Sequence, residues 1–180
     1  MQVLPTKIEG LFIVQPSVFE DARGYFFESY NKEVFHRHGI TAEFLQDNQS
    51  LSQKGVLRGL HFQNPPFAQA KLVRVISGSV LDVVVDIRKN SPTYGHHLAE
   101  VLTASQKNML YVPTGFAHGF AVLEDNTIFS YKCSNVYNKK SEDSILWSDP
   151  DLNIQWGVAH PVLSAKDIAA RPFKKFVSKF

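Results

Sequence analysis

Apolar positions along this chain come in short runs rich in Val, Ile, Phe and Tyr, and Gly, Pro, Asn and Asp cut them apart. Such runs predict β-strands. They place strands at residues 11–14, 25–29, 43–46, 56–62, 72–76, 80–87, 97–102, 109–112, 119–123 and 127–133. Within 80–87 the valines alternate in part with Asp82 and Asp86, and acids inside an apolar strand need partners. Helical patterning is scarce. Residues 31–38 read as one short helix, with Asn31 as N-cap and Gly39 just past the end. Ser164 caps a second piece, AKDIAA, which Pro172 ends. Pro65-Pro66 marks a stiff loop directly after the strand that carries His61. Many short strands with closely spaced turns predict an all-β sandwich or barrel with a few short helices. The 180 residues suit one domain, 1–180.

Charge and cysteine content narrow the setting. A net charge of +2 argues against a dedicated nucleic-acid binder. No run approaches the roughly 18 apolar residues that cross a bilayer, so no membrane partner is expected. The N-terminus lacks a charged segment followed by a long apolar run, so no signal peptide is expected. Cys133 is the single cysteine; it can form neither an internal disulfide nor a cysteine-based metal site. These features point to the cytoplasm.

Of seven histidines, His36, His38, His96, His97 and His160 read as surface or structural residues. His61 and His118 sit in denser motifs, RGLHFQ and VPTGFAHGF. Strand alternation predicts Arg58, Leu60 and Phe62 on one face, with Gly59, His61 and Gln63 on the other. Pro113 and Gly115 predict a turn, after which His118 opens a strand. The spacing Pro-x-Gly-x-x-His resembles the second motif of the cupin superfamily, a set of jelly-roll barrels that often bind metal through a His-x-His pair. Here that pair reads His61-Phe62-Gln63, and NPPFAQAK offers no acidic ligand, so neither a metal nor another cofactor is expected.

Proton chemistry fits better. It needs a base, a carboxylate to orient it and an acid. His61 suits the base, because an imidazole exchanges protons near neutral pH. Asp82, Asp86 and Asp167 are all candidate orienters, and Tyr131 and Tyr137 are candidate acids. Lys71 opens a strand after the Pro-Pro loop. Arg23, in DARGYFFES, is a candidate phosphate ligand. The run Tyr25, Phe26, Phe27 reads mainly as core.

The motifs DARGYFFESYN, QDNQSLS, VLRGLHFQNPPFAQAKLVRV, DVVVDIRKNSPTYG, VPTGFAHGF and SAKD, in this order, resemble the dTDP-4-dehydrorhamnose 3,5-epimerase family over about residues 11–172. The resemblance implies a cupin-type jelly roll that inverts C3 and C5 of a dTDP-linked 4-keto sugar on the route to dTDP-L-rhamnose. It implies His61 as base, Asp167 as its carboxylate, Tyr131 as the acid on the opposite sugar face and Lys71 near the C4 oxygen. Arg23, Glu28, Gln46, Asp47, Asn48, Arg58, His118, Glu142 and Lys166 match nucleotide- or sugar-binding positions. Tyr137 matches the residue that stacks on thymine, and Asp82 the support of His118. A homodimer exchanging an N-terminal strand is implied too. Two positions depart from the family's pattern: Ala70 stands before the lysine, and Val136 replaces one of two paired tyrosines. Rival readings are an epimerase for C3 or C5 alone, a metal-dependent cupin oxygenase and a non-catalytic sugar-nucleotide binding barrel.

Overall fold

A computed structural model describes the whole chain, Met1–Phe180. Strands are numbered along the chain. One antiparallel sheet orders β1 (Gln2–Pro5), β2 (Phe12–Gln15), β10 (Met109–Val112), β7 (Lys71–Ser77), β12 (Thr127–Cys133) and β5 (Gln46–Ser52). The other orders β13 (Glu142–Ser144), β6 (Leu57–Gln63), β11 (Phe116–Val122), β8 (Ser79–Asp86) and β9 (His97–Thr103). Apart from β1–β2 and β8–β9, neighbours in each sheet are distant in sequence, as in the predicted jelly roll. A hairpin of β3 (Val18–Asp21) and β4 (Gly24–Phe27) stands apart from both sheets.

Both faces of the central strands are covered, which explains their dense apolar runs. Val73, Val75, Val80, Val84, Phe120 and Phe129 belong to one cluster drawn from both sheets. Leu60, Phe62, Val83 and Ala121 meet Trp156 and Phe176 of the C-terminal segment on the second sheet's outer side. Val14, Leu72 and Met109 meet Phe35 and Ile40 outside the first sheet. Phe35 lies on α1 (Lys32–Arg37), whose Asn31 cap accepts from Glu33 N–H at 3.0 Å and Val34 N–H at 3.2 Å. The cap is as predicted, and Gly39 takes φ +79° just past the end.

Several expectations need correction. The strand predicted at 43–46 lies at Gln46–Ser52. Its sequence, QDNQSLS, has almost no apolar signal because one of its faces looks onto a polar cavity. Strands β1, β3 and β13 are additional; each is short or charged. The aromatic run at 25–27 is largely outside the core, with Tyr25 60% and Phe26 70% exposed on the hairpin. The second helix is only Ala165–Ile168, α2. His118 is the third residue of β11, not its first.

The most consequential correction concerns β6. Against β11, His61 pairs with His118 while Arg58 pairs with Phe120. Three steps on β6 therefore face two on β11, a β-bulge at Gly59–Leu60. The extra residue resets the alternation, so Arg58 and His61 share one face instead of taking opposite ones. Two glycines make room. Gly59 has φ +133°, and a Cβ there would overlap Gly119 Cα; a Cβ on Gly119 would lie 2.7 Å from Arg58 O. Gly59→Ala should therefore destabilise the fold by about 3 kcal/mol in urea unfolding, through both strain and overlap. Near-wild-type stability would show that the bulge tolerates a side chain.

Candidate active site

Between the sheets lies a cavity of about 520 Å³, open at one end and lined by polar groups from both. From the second sheet come Arg58 and His61 of β6, His118 of β11 and Glu142 of β13. From the first come Lys71 of β7, Tyr131 of β12 and Ser50 of β5. Lys166 and Asp167 enter on α2.

Of the three candidate carboxylates, geometry selects Asp167 for His61. His61 Nε2 lies 2.6 Å from Asp167 Oδ1, with Asp167 2% and His61 30% exposed. Asp167 is itself held on several sides. Its Oδ2 accepts from Ser164 Oγ–H at 2.5 Å and from Ser164 N–H at 3.2 Å, and Asp167 N–H donates to Ser164 Oγ at 3.2 Å; the two backbone bonds form the reciprocal capping box of α2. Its Oδ1 also accepts from Gly59 N–H at 3.3 Å, at the bulge. Burial works against ionisation of this carboxyl, but the His61 and Ser164 hydrogen bonds prevail and hold it at about 2. Because Asp167 stays ionised, His61 Nε2 must carry the proton it shares. That leaves Nδ1 as the basic nitrogen.

Asp82 and Asp86 have other partners. Asp82 receives Nε2–H of His118 at 3.0 and 2.9 Å, both groups buried. Burial lowers the His118 pKa, opposed by Asp82 and reinforced by Lys71 and His61. Asp86 takes a bidentate contact from Arg88 at 3.0 and 2.7 Å, and hydroxyl bonds from Ser91 and Thr93 at 2.6 Å each. It secures the β8–β9 loop and lies outside the cavity.

Tyr131 stands on the sheet facing His61. Burial raises its phenol pKa, so it keeps its proton at neutral pH. The Lys71 ammonium lies 5.9 Å from the Tyr131 ring centroid, and burial lowers its pKa. Arg58 donates to Ser52 Oγ at 3.2 Å. At the mouth Glu142 forms an ion pair with Lys166 and accepts from Tyr137 O–H at 3.0 Å. Burial opposes ionisation of Glu142, but these two contacts lower its pKa overall. A base, an acid on the opposite wall and a cation together can move a proton at carbon beside a carbonyl.

Not every expected site residue converges. Gln46 and Asn48 share the side of β5 that Ser50 presents to the cavity; Asp47, between them, turns away and pairs with Lys132 at 3.0 Å. Arg23 is 90% exposed and pairs with Asp21 at 2.6 Å, while Glu28 accepts from Asn31. Both lie away from this cavity. Two supporting serines belong to the site as well: Ser52 accepts from Arg58 with no sequence signal to mark it, and Ser164 holds Asp167. The spacing S-x-x-D in SAKD carries the capping-box signal that ties Ser164 to Asp167. No three His, Cys, Asp or Glu side chains converge as metal ligands.

The chain matches, over residues 5–175, the family model described as dTDP-4-dehydrorhamnose 3,5-epimerase. It is 52% identical over 174 residues to the dTDP-4-dehydrorhamnose 3,5-epimerase of Shigella flexneri, covering 96% of each chain. The crystal structure of the enzyme of that name from Elizabethkingia anophelis is 48% identical, with a TM-score of 0.92 and 97% of each chain covered. A dTDP-6-deoxy-D-glucose-3,5-epimerase from Legionella pneumophila, in complex with dTDP-4-keto-L-rhamnose, is 44% identical, with a TM-score of 0.94 and coverage of 98% of this chain and 94% of that one. With its fold and nearly its whole length shared, this chain belongs to the dTDP-4-dehydrorhamnose 3,5-epimerase family.

Proposed function

We propose that this protein inverts C3 and C5 of dTDP-4-dehydro-6-deoxy-D-glucose to give dTDP-4-dehydro-L-rhamnose, with His61 as the base. The observation that carries the reading is the His61–Asp167 contact of 2.6 Å across a cavity from a protonated tyrosine. The keto-sugar nucleotide bound to the Legionella relative supports the substrate class.

In each inversion, His61 Nδ1 removes the proton from a carbon next to the C4 ketone. The C–H electron pair moves into the C3–C4 or C4–C5 bond, and the carbonyl pair moves onto the C4 oxygen. Lys71 stabilises that enolate; a preorganised donor of this kind contributes about 3 kcal/mol. Tyr131 delivers a proton from the opposite face, which inverts the centre. Solvent then reprotonates the phenolate and takes the proton from His61. C3 and C5 both flank C4, so one oxyanion site serves both. Every step uses protein side chains and water.

Arg58, His118, Lys166 and Glu142 meet the sugar and diphosphate, and Tyr137 stacks on the base. Arg23 and Glu28, away from their own cavity beside the exposed Phe19, Tyr25 and Phe26, serve the cavity of a second chain in a homodimer. We read residues 1–180 as one domain, since its apolar clusters draw on strands of the same two sheets. Cys133, buried and unpaired, is compatible with the cytoplasm.

Incubation with the keto sugar in deuterium oxide tests the reaction. Wild type should place deuterium at both C3 and C5; labelling of one carbon alone would identify a single-site epimerase. His61→Asn should reduce wash-in at both carbons by about 10²–10⁴-fold, and Tyr131→Phe should slow epimer formation more than wash-in. Normal exchange in His61→Asn would rule out the base assignment. Mixing and re-equilibrating inactive His61→Asn and Arg23→Ala chains should restore turnover if the hairpin serves a neighbour; no recovery would speak against that arrangement.

The pH profile tests Lys71. Burial lowers its pKa from the ordinary 10.5, so the ammonium is lost earlier as pH rises. The alkaline limb of kcat should begin below that value, and Lys71→Arg should move it upward. A limb unmoved in Lys71→Arg would belong to another group.

A further inference from the structure

The loop at residues 134–141, which carries Tyr137, has little apolar anchorage. Val136 is 48% and Tyr137 55% exposed. Its backbone is nonetheless held residue by residue by three glutamines. Gln69 Nε2–H donates to Asn135 O at 2.7 Å, and Gln63 Nε2–H to Val136 O at 3.2 Å. Tyr137 N–H donates to Gln46 Oε1 at 2.8 Å, and Asn138 N–H to Gln63 Oε1 at 2.6 Å. The second Nε2–H of Gln63 reaches Phe67 O at 2.7 Å, in the Pro-Pro loop.

Gln63 is the hub. It is 6% exposed, and its amide joins two loops to the strand that carries His61. Its cross-strand partner is Glu142, which accepts from the Tyr137 hydroxyl. Both the backbone and the tip of Tyr137 are thus referenced to one point on β6. The position is also the second of the His-x-His spacing that metal-binding cupins fill with a ligand. Here its amide is fully occupied in holding backbone.

We propose that Gln63 is a positioning residue for nucleotide recognition, holding Tyr137 where the base of the substrate arrives, with Gln46 and Gln69 as auxiliary ties. This rests on the reading that Tyr137 meets the thymine of a dTDP-linked sugar. The chemistry requires an amide, since the site needs two donors and one acceptor together. A carboxylate would face two carbonyl oxygens. A thioether would leave two carbonyls and one N–H without partners.

The test uses full-length Gln63→Met and Gln63→Glu, each also combined with Tyr137→Ala. Calorimetry measures dTDP and pyrophosphate binding, and steady-state kinetics gives KM and kcat. Gln63→Met should raise both the dTDP Kd and KM by about ten-fold, the size expected for a lost buried hydrogen-bond set. Pyrophosphate affinity and kcat should stay within about two-fold, since the Gln63 amide bonds only backbone of Phe67, Val136 and Asn138 and none of Arg58, Lys166, His61 or Lys71. Added to Tyr137→Ala, Gln63→Met should cost nothing further. Equal losses for dTDP and pyrophosphate, additive losses with Tyr137→Ala, or a fall in kcat at unchanged KM would each overturn the proposal. Gln63→Glu, close in shape, is read by the same criteria if Gln63→Met fails to fold. Wild type that binds dTDP without converting the keto sugar would refute the epimerase reading alone, and the clamp would still be judged on dTDP binding.

Discussion

The site depends on the close approach of two glycine backbones. Gly59 and Gly119 face each other on adjacent strands with no room for a Cβ on either. That contact accommodates the bulge which brings Arg58 and His61 to one face. Without it, a regular β6 would send one of them outward among the apolar groups that pack under the C-terminal segment. Gly59 N–H also donates to the carboxylate that holds His61, so the bulge both aims the imidazole and helps fix its partner. The capping box of α2 completes the arrangement, because Ser164 and Asp167 each satisfy the other while Asp167 faces the histidine.

Electrostatics then separate the roles. Two histidines stand opposite each other on β6 and β11, each with its own aspartate. Both histidines line the cavity, His61 30% and His118 6% exposed, and burial opposes proton uptake by His118. Burial also keeps Tyr131 protonated. The same burial lowers the Lys71 pKa, and removal from water strengthens the attraction of an ammonium there for negative charge. The mouth is different: Glu142 and Lys166 are nearer solvent and pair with each other there.

Much of this was legible in the residues, for definable reasons. Strands β10 and β12 fall where apolar runs meet sharp turn signals, and both helix caps follow from Asn31 and Ser164. His61 and His118 stand out because glycine and proline crowd around them. The face of Arg58 was not legible, since alternation carries no trace of an inserted residue. Strand β5 was misplaced because a wet cavity face is polar on the very side that usually supplies the apolar signal. Asp47 shares a motif with Gln46 and Asn48, but a period of two turns it away. Tyr25 and Phe26 look like core by composition and are exposed on a hairpin. The choice of Asp167 over Asp82 and Asp86 needed either family resemblance or three-dimensional contacts, because all three carboxylates are remote from His61 in sequence.

The central claim is that Asp167 fixes His61 with its proton on Nε2, leaving Nδ1 free to take a proton from carbon. Nitrogen-15 NMR of imidazole-labelled protein, with His61 identified by comparison with His61→Asn, tests this directly. At a pH where His61 is neutral, its signal should be that of the Nε2–H tautomer, and Asp167→Asn should shift or mix it. An Nδ1–H tautomer in the wild-type protein, or a signal indifferent to Asp167→Asn, would contradict the account.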